Sequence, residues 1–136
     1  MSRIPGAVRQ QVRERANGRC EYCGKPDAYG SQSHQVDHIV SQKHHGSDDL
    51  DNLAWACFQC NSCKGTDIAA RDRETNSLYS LFNPRTQKWD DHFRLDGAII
   101  IGLTPIGRVT IDILQMNDPD QIRTRRLLIE NDLWGL

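Results

Sequence analysis

Apolar residues along the chain fall into short groups separated by polar or turn-forming stretches. Val8 and Val12 lie one helical turn apart between charges, Pro5 suits a first turn and Asn17-Gly18 a stop, so residues 5–16 are predicted to form a helix. Residues 34–40 alternate polar and apolar and end in Ile39-Val40, as a strand does, and Leu53 to Ala56 resume as a second strand. The loop between them holds His44-His45-Gly46 and then Asp48, Asp49 and Asp51, which reads as a solvated acidic turn. Phe58 to Lys64 predict a short helix, stopped by Gly65. Farther on, Ser80 to Lys88 are turn-rich around Asn83-Pro84. Trp89, Asp91, Phe93 and Leu95 then alternate with other residues, and Asp96-Gly97 precedes Ala98 to Ile101, a hairpin signal. Thr104-Pro105 opens a helix carrying Ile106, Val109, Ile113 and Leu114. Asp118-Pro119 opens another, with Ile122, Ile129 and Leu133 as core candidates. Neither helix carries catalytic chemistry, and there are no repeats or low-complexity tracts.

A chain of 136 residues supports one core, so a single domain over 1–136 is expected. No apolar run approaches the ~20 residues of a membrane span, and residues 1–18 do not read as a signal peptide. The expectation is a soluble, cytoplasmic protein with no membrane partner. The net charge of -1 gives no overall attraction to nucleic acid. Local charge changes that picture, because Arg3, Arg9, Arg13, Arg15, Arg19 and Lys25 crowd the start against Glu14 and Glu21. Arg9, Arg13, Lys64 and Arg85 are the candidate nucleic-acid contacts, whereas Trp55 and Trp89 are expected to fill core rather than stack on bases.

The cysteines carry the clearest chemistry. Five cysteines with no secretion signal point to reduced thiols rather than disulfides. Cys20-x-x-Cys23 and Cys57-x-x-Cys60 each offer two sulfurs to one tetrahedral ion, and two such pairs together predict a structural Zn²⁺. Cys63 is left over as an inert thiol. His38 follows a carboxylate at a strand end, and an imidazole, with an ordinary pKa of about 6.5, suits a general base near neutrality. Adjacent strand residues point to opposite faces, so Asp37 and His38 share a site only if the strand end twists or the site lies at its edge. His34, His44 and His45 are expected in solvent.

Asp37-His38-Ile39, Asn52-Leu53 and Cys57-x-x-Cys60-Asn61-x-x-Lys64-Gly65 together resemble the HNH endonucleases, whose core is the ββα-metal finger. The match covers roughly residues 20–65, and the tail beyond it (LFNPRTQKWDDHF and GLTPIGRVTI) resembles that of small stand-alone bacterial members. It implies an α+β fold: a ββα-metal core framed by a four-cysteine zinc site, with an N-terminal helix and a C-terminal hairpin plus two helices. The domain then divides into a basic helix (1–19), the zinc-clipped core (20–65) and supporting elements (66–136). The resemblance implies a metal-dependent DNA endonuclease, a phosphodiester hydrolase whose expected substrate is duplex DNA, with little predictable sequence specificity. It places Asp37 and Asn61 on a catalytic divalent cation, Asn52 orienting the His38 loop, and His38 activating water. Asparagine stands at Asn61 where histidine is frequent in the family, which tilts the metal preference to Mg²⁺ or Mn²⁺. The competing reading is a zinc-ribbon nucleic-acid-binding module without catalysis.

Overall fold

The computed structural model describes residues 4–135; Arg3 of the basic cluster lies outside them. Helix α1 (Gly6–Arg15) starts after Pro5, whose carbonyl accepts from Arg9 N at 3.0 Å, and carries Arg13 and Arg15 in its last turn, where cations favour the helix dipole. Its apolar stripe is narrow. Val12 is fully buried with Leu53 and Trp55, and Ile4, Val8, Ala16 and Val36 pack around them.

Strands β1 (Gln35–His38) and β2 (Leu53–Ala56) form an antiparallel hairpin in which Asp37 faces Ala54 and His38 faces Leu53. Every residue of β2 is buried, because α1 covers one face and the main core the other. This explains why β2 is a continuous apolar run while β1 alternates. Helix α2 (Phe58–Lys64) follows at once, and Gly65 ends it at a φ of 52°. Strand, loop, strand and helix therefore occur in the predicted order.

Two strands absent from the sequence expectation come next, β3 (Ala69–Arg71) and β4 (Leu78–Ser80), paired antiparallel. The strand expected from Trp89 begins later. Trp89–His92 is a single helical turn, α3, because the Trp89 indole donates to Tyr22 O at 2.7 Å and stacks on Phe93, centroids 5.0 Å apart. The hairpin itself is β5 (Phe93–Asp96) with β6 (Ile99–Gly102), turning at Gly97 with φ 60°.

Helix α4 (Pro105–Leu114) begins where expected, with the Thr104 hydroxyl accepting from Gly107 N at 3.1 Å. Gly107 is required by packing: a Cβ there would meet His92 O at 2.1 Å. Val109 and Leu114 enter the main core, beside Ile100, Phe82, Phe93 and the knuckle cysteines. Each fully buried large aliphatic side chain there contributes roughly 1.5–3 kcal/mol of transfer free energy. Helix α5 (Pro119–Glu130) is capped by Asp118, which accepts from Asp120 N. Its buried residues are Leu128 and Arg125, not Leu133, which is 40% exposed. Among the described residues no helix is long and apolar enough to cross a membrane. The architecture is α+β, built from five α-helices, two short 3-10 turns and three two-stranded sheets among those residues.

Candidate metal centre and active site

The four knuckle cysteines are buried and their sulfurs all lie within 4.8 Å of one another. Tetrahedral zinc with Zn–S bonds of about 2.3 Å places sulfurs about 3.8 Å apart, and Cys23 Sγ lies 3.7 Å from Cys57 Sγ. Each pair closes a tight turn in which the second cysteine's amide donates to the first sulfur, Cys23 N to Cys20 Sγ and Cys60 N to Cys57 Sγ, both at 3.4 Å. Hydrogen bonding to Cys20, then Cys23 and Cys57, and burial push the Cys60 thiol well up. Sulfurs crowded this way become thiolates only with a cation among them, so the donor set fits structural zinc. Cys63 stays out of the cluster, half-buried on α2, and burial raises its thiol as well.

The two residues inside the first knuckle weld it to both strands. Glu21 N donates to Trp55 O at 2.8 Å, and Glu21 Oε2 accepts from Trp55 N at 2.8 Å. Tyr22 is wholly buried and its hydroxyl donates to Asp37 Oδ2 at 2.6 Å.

Asp37 therefore points inward from β1, toward α2. Its second partner is Lys64, 1% exposed, whose ammonium lies 3.2 Å from Asp37 Oδ2 and 3.3 Å from Oδ1. The same ammonium donates to His38 O and Ile39 O, both at 3.0 Å. Burial pushes the Asp37 carboxyl up, opposed by Lys64 and by the Tyr22 hydroxyl. Asn61 sits one helical turn before Lys64, half-buried on α2. Asp37 and Asn61 thus belong to facing elements, and as the carboxylate stands Lys64 touches both of its oxygens and Tyr22 one of them.

His38, next along β1, turns the other way. Its Nε2 lies 2.7 Å from Asp48 Oδ1, and Gln42 Nε2 donates to the same oxygen at 3.3 Å. Asn52 pins the loop that carries Asp48. Its Oδ1 accepts from Val40 N at 2.9 Å, and its Nδ2 donates to Val40 O at 2.9 Å and Ser47 O at 2.8 Å. Gly46 is pressed into this loop so closely that a Cβ would meet Val40 O at 1.7 Å.

Compared with known proteins, residues 20–67 match the family model of the HNH endonuclease. This segment is an HNH endonuclease domain. The chain is 23% identical to the Septu protein PtuB of Bacillus thuringiensis over 124 residues, covering 90% of this chain and 46% of PtuB. It is 38% identical over 58 residues to the CRISPR-associated endonuclease Cas9 of Corynebacterium diphtheriae, covering 42% of this chain and 5% of Cas9. The chain thus spans less than half the length of these curated relatives. No solved structure matches it significantly.

Within the HNH segment two placements differ from the sequence expectation. Lys64, a candidate for the nucleic-acid surface, is enclosed between β1 and α2, where Asp37 and the carbonyls of His38 and Ile39 take its donors. His34, expected in solvent, is 2% exposed: Nε2 donates to Lys25 O at 2.8 Å, the ring lies against Trp55, and burial lowers its pKa. His44 and His45 are exposed, as expected.

The other basic candidates are engaged internally. Arg9 lies over the Trp55 ring, 4.6 Å from its centroid, and donates to His34 O. Arg13 forks onto Asp27 at 2.7 and 3.1 Å. Arg85 pairs with Glu21, and burial, followed by repulsion from Arg15, pushes its pKa down to about 10. Asp48 is the residue that sequence reasoning missed near His38. A carboxylate ten residues beyond a candidate base, in a loop beginning and ending at the same strand pair, was its only signal.

Proposed function

We propose that the chain is a DNA endonuclease that hydrolyses phosphodiester bonds, with His38 as the base that takes a proton from water. The observation that carries this reading is the 2.7 Å contact between His38 Nε2 and Asp48. An ionised carboxylate only accepts, so Nε2 holds the proton and Nδ1 of the neutral ring keeps its lone pair for water. Asn52, by bonding to Val40 and Ser47, holds the loop that presents Asp48, and so acts on His38 at one remove. The HNH segment, and the likeness to the CRISPR-associated endonuclease Cas9, support hydrolysis of a nucleic-acid backbone.

Family membership also implies a Mg²⁺ or Mn²⁺ ion, which when bound supplies a positive charge to the scissile phosphate and the leaving 3′ oxygen. Asp37 and Asn61 would hold it, and Asp37 must first give up Lys64. The proposed organisation is a single domain, with a basic helix over 1–19, the core over 20–65 and supporting elements over 66–136. Double-stranded DNA is the proposed substrate.

Plasmid nicking decides. The parent should cut with Mn²⁺ or Mg²⁺ and stop with EDTA, and His38→Ala should lose cleavage by roughly 10²–10⁴-fold while binding DNA normally. Cleavage by His38→Ala at the parental rate would remove His38 from this role. A second reading, a zinc-ribbon module that binds nucleic acid without cutting it, draws support from the enclosure of Asp37 behind Tyr22 and Lys64. It predicts DNA retardation in gels and no cleavage with any divalent cation.

A further inference from the structure

Helix α5 lies outside the HNH segment, yet it brings a charge to the metal centre. Arg125 is 2% exposed, and its two hydrogen bonds go to neutral carbonyls, Nη1 to Ala98 O at 2.9 Å and Nη2 to Met116 O at 2.7 Å. Its Nε is buried with no hydrogen-bond partner. A guanidinium held this way is costly unless a negative charge lies nearby. The four-cysteine centre is one such charge, reached through Cys23, which lines a small void with Arg125, Lys25 and Trp134. Burial lowers the Arg125 pKa, and the cysteine sulfurs, Cys23 first and then Cys60, Cys57 and Cys20, oppose that shift. Four thiolates around Zn²⁺ leave a formal charge of about -2, which no first-sphere ligand offsets.

The segment after α5 completes the enclosure. Trp134 lies between two guanidinium groups, Arg19 at 5.3 Å and Arg125 at 5.7 Å from its ring centroid. Arg19 also donates to Trp134 O. The indole closes over the first knuckle so tightly that a Cβ on Gly24 would approach it to 3.2 Å.

We propose that Arg125 is an outer-sphere counter-charge of the four-cysteine metal centre, so that α5 and Trp134 belong functionally to a site whose ligands all lie before residue 61. The role is one of positioning and charge balance, and it rests on the zinc assignment. It accounts for an arginine in the buried stripe of α5, where an aliphatic residue would otherwise serve.

The test compares zinc affinity by competition with a chromogenic chelator in the parent, Arg125→Met, Arg125→Lys and Arg126→Met, the last altering an exposed arginine one position along. Outer-shell changes typically cost about 10–100-fold in metal affinity, so Arg125→Met should fall in that range, Arg125→Lys should stay within about threefold of the parent, and Arg126→Met should not change. Cobalt-loaded protein supplies a second readout: the thiolate-to-cobalt absorption band should move in Arg125→Met and remain in place in Arg125→Lys. Parental affinity in Arg125→Met overturns the proposal. So does an Arg125→Lys variant as weak as Arg125→Met, since geometry rather than charge would then be at work. Should Arg125→Met not fold, the affinity and spectrum of Arg125→Lys decide alone. A parent that takes up no zinc on refolding overturns the metal assignment itself, a failure distinct from the other two.

Discussion

Exchanging Lys64 for methionine removes one ammonium and keeps most of the side-chain volume. What remains is Asp37, 3% exposed, with Tyr22 as its surviving partner, and two carbonyls at the end of β1, His38 O and Ile39 O, without the ammonium of Lys64. Removing one member of a buried ion pair costs about 3–5 kcal/mol, because the other charge stays desolvated. Relief comes from one direction only: burial has already pushed the Asp37 carboxyl up, so the orphaned group can take a proton. At roughly 3–5 °C per kcal/mol for a domain of this size, the midpoint should fall by about 10–25 °C. The assay is thermal and urea unfolding of zinc-saturated protein, followed by circular dichroism, for Lys64→Met, Asp37→Asn and the double variant. Since the two residues share one interaction, the double variant should be more stable than additivity predicts by about 1–3 kcal/mol. A midpoint shift under about 2 °C in Lys64→Met would refute the buried pair, as it is what a surface lysine gives. Strict additivity in the double variant would refute the pairing even if both single changes were costly.

Cys57→Ser should lose most of the bound zinc and the cooperative melt, since a structural metal contributes its binding energy to folding; metal analysis showing full zinc with a parental melt would refute the four-cysteine site. Burial lowers the pKa of His34 below its ordinary 6.5, so below that pH the unfolded chain takes up a proton that the native ring resists, and stability is lost as pH falls. His34→Gln should therefore show a shallower loss of stability than the parent between pH 7 and 5, and equal slopes would remove His34 from the account. Gly46→Ala should displace the loop that holds Asp48, because its Cβ would fall 1.7 Å from Val40 O; the expected result is weaker cleavage with unchanged zinc content, and unchanged plasmid nicking would argue against the loop's role.

The features legible in the chain are those encoded locally. The knuckles are two-residue gaps, the starts of α4 and α5 are a cap followed by proline, and the end of α2 is a glycine with positive φ; each is written within a few residues. The contacts that escaped notice join residues far apart in the chain. Lys64 reads as a surface cation because nothing near it in α2 says that Asp37, on β1, will meet it. His34 reads as a loop histidine because its enclosure depends on Trp55 and on α1. The β3–β4 hairpin has strands of three residues with no apolar alternation and no two-residue turn, so its pairing depends on packing against α4. Trp89 shows the opposite failure: a genuine period-two pattern was continued one turn too early, where a hydrogen bond to Tyr22 O made a helical turn the better solution.

The three two-stranded sheets share no strand with one another among the described residues. Every strand is therefore an edge on one side, with half of its amides outside any ladder. Hydrogen–deuterium exchange should consequently find no slow central sheet in this protein. Protection should instead concentrate at the knuckle amides, whose hydrogens are held by sulfur, and in α4, which packs against α2, β3, β4 and β6. Withdrawal of the metal should then abolish protection at the knuckles first and leave α4 as the last exchanging unit, so the order in which amides open becomes a map of what the ion holds and what the apolar core holds without it.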